Sequence, residues 1–429
     1  MYEHLKGKRL LVLGGTRITC GMIKRAREMG LTVGVVDYYP AEQSPGKQLA
    51  HEAYDASTTD VDAVVQLIRD KKFDGLVTGC SDMLLPYYAE ICAKAGLYSL
   101  GTKEQYDTFV DKEKYKALCK EYGVPAVEGY DVENLDRADI RYPVFVKPAD
   151  GSGSRGISIC NNREELMRAV EKAKAMSRTK KVVVERYMTG REVTVNWLFV
   201  DGDAYLTGIA NRHVKRCQGP DVLPLPVGYT YPASVTPIYR ATIEQNAKRM
   251  FKAFGVRNGV MFMQCKLEND TCVVYDIGYR LSGTQEYINF ADACGFNPME
   301  MIINYAITGK MCEEPELRKI NPMGMKPSFN VSFLAKPGTI GKIEGIEEAK
   351  AIPELADIVI AHYPGETITE KMRGLLAQIS VRAFGSVEKK EQLFDVMKKV
   401  EKTVRILSTE GELMNLPGIE KEDLEGVVL

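Results

Sequence analysis

The sequence predicts an α/β region followed by an α+β region, and three observations carry that class. From Arg9, short apolar runs ending in Gly or Asp alternate with amphipathic stretches of helical period, the pattern of βαβ units on a parallel sheet. Beyond about residue 125 the pattern turns to β-rich pairs about short turns, which reads as antiparallel sheet. At 429 residues, 45% hydrophobic and 27% charged, the chain has the balance of an ordinary globular protein with roughly two to four domains.

The elements follow in order. "RLLVLGG", "TVGVVDYYP" and "FDGLVTGC" are expected strands, and "MIKRAREMG", "DAVVQLIRDKK" and "PYYAEICAKAGL" are expected helices, together a Rossmann-like domain over residues 1–108. Its "GGTRITCG" turn and Asp37 invite a dinucleotide reading, but glycines at 14, 15 and 21 do not fit G-x-G-x-x-G. Such a turn commonly serves only close packing of strand on helix. A helix is expected from near Asp111 to Gly123, stopped by Pro125. Then come the hairpin "YPVFVKPADGSGSRGISIC", the helix "REELMRAVEKAKAM" and two strands about a turn at Thr189 and Gly190. "AYLTGIANRHV" is a further strand and "GVMFMQCKLENDTCVVYDIGYRL" a hairpin, which closes a central region of residues 109–310 with parts 109–187 and 188–310. Residues 311–429 read as a smaller α+β portion with β-rich segments and the helix "EKKEQLFDVMKKVEKTVRIL". No repeat of fixed period occurs in the sequence.

Lys plus Arg number 57 against 58 Asp plus Glu, so no single-sign field points to nucleic acid or an anionic membrane, and a small ligand is the default. "LLVLGG" is too short for a secretory core or a membrane span, so a cytoplasmic protein is expected. The ten cysteines, without a C-x-x-C pair, read as reduced small hydrophobes. His4, His51, His213 and His362 are too scattered to suggest a histidine metal site.

The stretch "VFVKPADGSGSRGISIC" places Lys147 at the end of an apolar run and then a Gly/Ser loop. Glycines at 151, 153 and 156 let backbone amides turn toward an anion, and Lys147 can reach phosphate as a point charge. The alternative is a surface hairpin with solvated cations. Arg155 is either a phosphate ligand or a solvated loop tip.

Lys112, Lys147, the loop 150–156, Glu185 with Glu192, and the set Gln264, Asp276 and Arg280 occur in an order that resembles the ATP-grasp superfamily. Within it the likeness is to biotin-carboxylase-like and carbamoyl-phosphate-synthase-like enzymes, amino-acid ligases especially. The resemblance implies a Rossmann-like preamble, a two-part ATP-grasp core and a C-terminal α+β portion. It implies that Lys112 and Lys147 contact the α and β phosphates of ATP, while the loop with Ser152, Gly153, Ser154 and Gly156 closes over the triphosphate. Glu185, Arg186, Tyr187 and Met188 look like the hinge that receives adenine. Glu192 matches the position that holds the ribose hydroxyls, the alternative being an exposed edge-strand charge.

For Mg²⁺ the family pattern is Glu, then Glu on the next strand, Asn two residues later and Arg two beyond. Here those positions read Gln264, Asp276, Gly278 and Arg280, which keeps the spacing but weakens the ligands, because Mg²⁺ prefers carboxylate and phosphate oxygens. Arg280 is the candidate catalytic residue, a fork for the substrate carboxylate or the acyl-phosphate oxygens. If Gln264 and Asp276 share a metal they must face each other across the hairpin, which a three-residue loop Asn269–Thr271 provides. A two-residue loop at Asn269 and Asp270 would instead pair Gln264 with Tyr275.

Arg212, His213 and Lys215 look like part of a basic loop over the acceptor pocket, or equally a solvated face. The amides of residues 282–285 precede a helix near Glu286 and could meet an anion, whereas Met261 and Met263 read as core. The expected activity is ADP-forming ligation of a small carboxylate to an amine or similar nucleophile through an acyl phosphate. Its partners are ATP and those small molecules, with Mg²⁺ as cofactor and a homodimer as an open alternative. Three other readings stand beside it: a carboxylase or carbamoyl-phosphate relative, a non-catalytic nucleotide-binding protein, and an oxidoreductase using "GGTRITCG". The Gly/Ser loop, Ser152 to Arg155, is expected to be mobile without nucleotide.

Overall fold

A computed structural model describes residues 2–135, 139–149, 156–177, 179–219 and 222–429. Ser152, Gly153, Ser154 and Arg155, and with them the expectation of loop mobility, lie outside the described residues.

The N-terminal apolar runs form a parallel sheet in the order Glu52–Asp55, Thr32–Asp37, Arg9–Leu13, Gly75–Thr78. Leu10 to Leu13 are all buried, as a strand covered on both faces by helices requires. The helices Cys20–Glu28, Val61–Lys71 and Leu85–Ala95 lie where the periodicity places them. A short helix, Pro45–Leu49, sits against the "GGTR" turn, its Gly46 N–H donating to Gly15 O at 2.8 Å. Asp37 accepts the Gly15 N–H at 2.6 Å, and the buried Lys47 donates to Asp37 O at 2.9 Å. A Cβ at Gly46 would meet the Gly15 backbone at 2.7 Å, so the short helix packs backbone to backbone on the turn.

A second sheet, the flap, has the order Gly129–Tyr130, Val182–Arg186, Val144–Pro148, Ser158–Cys160. Val144, Val146, Val182 and Val184 pack under Leu166, Ala169, Val170 and Ala173 of the helix Arg163–Met176. Asn162 caps that helix by accepting from Glu165 N–H at 3.0 Å.

Among the described residues the largest sheet has eight strands, beginning with the hairpin Thr271–Gly278 and Gly259–Glu268, then Glu192–Val200, Asp203–Lys215 and Leu225–Tyr231. Ser328–Leu334, Ile379–Ser386 and Leu355–Ile360 continue it, so the last third of the chain shares a sheet with the centre. Strand patterning shows that a segment is β but not which strand it will meet. The expected C-terminal helix is shorter than its sequence pattern: it covers Leu393–Thr403, and "RILS" becomes the strand Arg405–Ser408 against Gly338–Glu344. β-Branched residues and pairing outweigh helical period there.

Two further expectations change. Arg212, His213 and Lys215 sit on the strand Asp203–Lys215, not on a loop. The hairpin turn is the two-residue Asn269–Asp270, with φ of 50° and 61°, and Glu268 faces Thr271. Both residues take left-handed backbone readily, which favours the tight turn over the expected three-residue one. Met261 and Met263 are core, as expected. The ten cysteines are unpaired. Among the described residues no helix is long and apolar enough to cross a membrane.

Candidate active site

Asp111 caps the helix Lys112–Glu121, accepting from the N–H groups of Glu113 and Lys114 at 3.0 and 3.2 Å. The cap sets the helix phase, so Lys112, Tyr115 and Cys119 are buried and Lys116 follows Lys112 by one turn. Tyr115 donates to Tyr275 O at 2.8 Å and pins the helix to the large sheet. On the flap sheet Phe145 stands opposite Glu185 and Lys147 opposite Val183, so Lys147 and Glu185 share the face turned away from the helix Arg163–Met176. Lys147 Nζ donates to Tyr275 O at 3.3 Å. Lys112 Nζ lies 3.3 Å from Ala149 O and 3.8 Å from Asp276 Oδ1. Two buried lysines from separate elements thus meet at one dipeptide.

Glu185 is buried between cations, its Oε2 2.9 Å from Lys147 Nζ and its Oε1 in contact with Lys116 Nζ. Burial pushes the Glu185 carboxyl upward, but Lys147 and Lys116 together outweigh it and hold the group below its ordinary value. Burial, then Lys147 and Lys112, push the Lys116 ammonium down against the pull of Glu185. The other hinge candidates diverge. Arg186 forks onto Glu268 at 2.6 and 2.8 Å, and the Tyr187 ring centroid lies 6.0 Å from Lys266 Nζ. Met188 packs with Val127 and Val273 in a small buried apolar cluster, against which Tyr275 also packs.

Glu192 is not an exposed edge charge. It contacts Arg212, accepts from Tyr275 OH at 3.1 Å and lies 3.3 Å from Lys266 Nζ. Burial raises the Glu192 carboxyl, but Arg212 and Lys266 pull it below its ordinary value. Arg212 is therefore committed inside the sheet. His213 is buried with Nε2 2.8 Å from Thr230 Oγ1, and Lys215 pairs with Asp423 at 2.9 Å, so these three do not form a basic loop.

Gln264 and Asp276 face each other as expected, by a different device. Cys265 pairs with Val274 and Gln264 with Asp276, which leaves Tyr275 as an extra residue. That β-bulge offsets the shorter turn and keeps Asp276 on the cleft side. Gly278 offers no side-chain ligand, and a larger residue there would meet the Phe262 ring at 2.4 Å. Among the described residues no group of three or more His, Cys, Asp or Glu could hold a metal alone. One carboxylate and one amide oxygen suit Mg²⁺ only if phosphate oxygens complete the shell.

Arg280 is engaged by Asp82, which follows the strand Gly75–Thr78: Nε to Oδ1 is 2.7 Å and Nη2 to Oδ2 is 2.5 Å. Its guanidinium carbon lies 5.1 Å from the centroid of the Phe262 ring. Burial lowers the Arg280 guanidinium, but Asp82 outweighs it and raises it. Arg382, which sequence reading passed over, donates Nη1–H to Gly283 O at 2.7 Å while its buried Nε lacks a partner. No carboxylate lies within ion-pair distance of it among the described residues, and burial lowers its pKa against the pull of Tyr229, Cys80 and Glu286. Buried Glu286 accepts from Ser282 N–H at 3.4 Å and Thr284 Oγ1–H at 2.6 Å, with no cation within ion-pair distance among the described residues, though it attracts Arg382 from farther away. The residues 282–285 are thus partly self-satisfied. A charged residue inside the apolar run "ISVRAF" was the signal for Arg382, and the one-turn spacing from Lys112 was the signal for Lys116.

Residues 140–285 match the model of the ATP-grasp domain family. The large chain of carbamoyl phosphate synthase from Clostridium beijerinckii is 23% identical over 308 residues, 67% of this chain and 28% of that protein. The chain therefore spans under a third of the length of that relative. Among solved structures, L-amino acid ligase from Bacillus licheniformis superposes with a TM-score of 0.75 at 19% identity, covering 94% of this chain and 99% of that one. Phosphoribosylglycinamide synthetase from Anaerococcus prevotii gives 0.71 at 21% identity, over 94% and 99%. The biotin carboxylase domain of the Hydrogenobacter thermophilus 2-oxoglutarate carboxylase, a dimer with MgADP and bicarbonate, gives 0.75 at 20%, over 96% and 91%.

Proposed function

Because the chain carries an ATP-grasp domain over residues 140–285 on an ATP-grasp fold, we propose that it is an ADP-forming ligase that joins a small carboxylate to an amine. The observation that supports this reading most is the meeting of Lys112 and Lys147 at Tyr275–Asp276, beside the apolar cluster of Met188, Val127 and Val273. Adenine lies on that cluster, and the two ammonium groups neutralise phosphate oxygens next to it. Glu192 meets the ribose through the oxygen it shares with Lys266.

Asp276 and Gln264 would hold Mg²⁺ together with phosphate oxygens, and the ion would supply charge neutralisation there. The substrate carboxylate attacks the γ-phosphorus; the bond from that phosphorus to the bridging oxygen breaks, and ADP leaves with the electron pair. The neutral amine then adds to the acyl carbon, phosphate departs as the amide forms, and the proton released from the amine passes to the departing phosphate or to solvent. Arg382 receives an acidic group of the substrate, Glu286 an ammonium, and Arg280 becomes available when Asp82 releases it. A cytoplasmic setting and a homodimer, as in the Hydrogenobacter dimer, belong to the same proposal. ADP release measured over paired acids and amines tests it; ATP bound without ADP from any pair would favour the non-catalytic reading, which Gln264 supports.

A further inference from the structure

We propose that Lys116, on the helix Lys112–Glu121, is a positioning residue that frees Lys147 for phosphate by holding Glu185. The inference rests on the nucleotide reading of the site. Glu185 is buried and divides its carboxylate, one oxygen for Lys116 and the other, at 2.9 Å, for Lys147. Lys147 therefore has two competing partners: Glu185, and the phosphate it is to meet. Moving Lys147 away would leave a buried carboxylate uncompensated, and an unpaired buried charge costs several kcal/mol. Lys116 removes that penalty, because Glu185 keeps one cation when the other leaves.

Lys112 cannot take the role. Its Nζ is directed at Ala149 O and Asp276, and it has no contact with Glu185 within ion-pair distance. Three ammonium groups so close together repel one another, and the repulsion favours transfer of Lys147 to an incoming anion.

The test is titration calorimetry of ATP, ADP and adenosine with the unaltered chain and with K116M, K116R, E185Q and K116M/E185Q. K116M is expected to bind ATP and ADP about 10- to 100-fold more weakly, the range of one charge-assisted hydrogen bond, with adenosine changed by less than about threefold. K116R is expected to restore most of the loss. The double variant is expected to bind ATP within about threefold of E185Q, because a neutral amide has no need to retain Lys147. Equal ATP affinity in K116M and the unaltered chain overturns the inference, and so does equal weakening of adenosine. So does a double variant weaker than E185Q by the full K116M factor. If the unaltered chain binds none of the three ligands, the nucleotide reading falls and takes this inference with it.

Discussion

Gln264 stands directly across from Asp276 because one strand of their hairpin carries an extra residue, Tyr275, that offsets the two-residue turn at Asn269 and Asp270. The bulge has a second effect: its carbonyl accepts from both Tyr115 and Lys147, and its hydroxyl reaches Glu192. One inserted residue thus aims a carboxylate and links the flap, the helix Lys112–Glu121 and the large sheet.

That pairing makes Q264E an informative change. It adds a carboxylate beside Asp276, where Mg²⁺ affinity follows the ligand charge count. The Mg²⁺ concentration for half-maximal ADP release is expected to fall by about tenfold. An unchanged Mg²⁺ titration would remove Gln264 and Asp276 from the metal site.

Arg382 is half-buried, with a buried Nε that lacks a partner and no carboxylate within ion-pair distance among the described residues. R382Q is expected to lower kcat/KM for the acid substrate by about 10- to 100-fold, the range of one charge-assisted hydrogen bond, and to leave the KM for ATP unaltered. A change confined to ATP would place Arg382 at the nucleotide instead.

Burial lowers the His213 pKa to about 4, outweighing the attraction of Asp423, while Arg191 and Lys215 push the same way as burial. The folded value lies below the unfolded one, so the unfolded chain binds the extra proton between about pH 6.5 and 4. Stability is therefore full above that window and falls by about 3 kcal/mol as pH drops through it. H213Q is expected to flatten this part of the acid limb in urea unfolding at a series of pH values. An identical slope in the variant would assign the limb to other groups.

Glu192 compensates Arg212 and Lys266 at once. E192A leaves a buried guanidinium without its carboxylate and is expected to cost about 3 to 5 kcal/mol in denaturant unfolding. A loss under about 1 kcal/mol would mean that solvent, not Glu192, satisfies Arg212.

By itself the sequence determined what depends on near neighbours in the chain. The apolar runs from Arg9 onward, the helix capped by Asp111, the buried valines before Lys147 and the order of the lysines, Glu185 and Asp276 were all legible, because period and capping act over a few residues. The tertiary structure decided the partners. Arg280 meets Asp82 across 198 residues of sequence, and Lys147 meets Glu185 instead of solvent. Arg382 reaches Gly283 because its strand joins the central sheet, and Asp276 keeps its face through a bulge that local pattern does not reveal. Ion pairs and strand neighbours are set by which surfaces the whole chain brings together, and residue spacing carries almost no record of that choice.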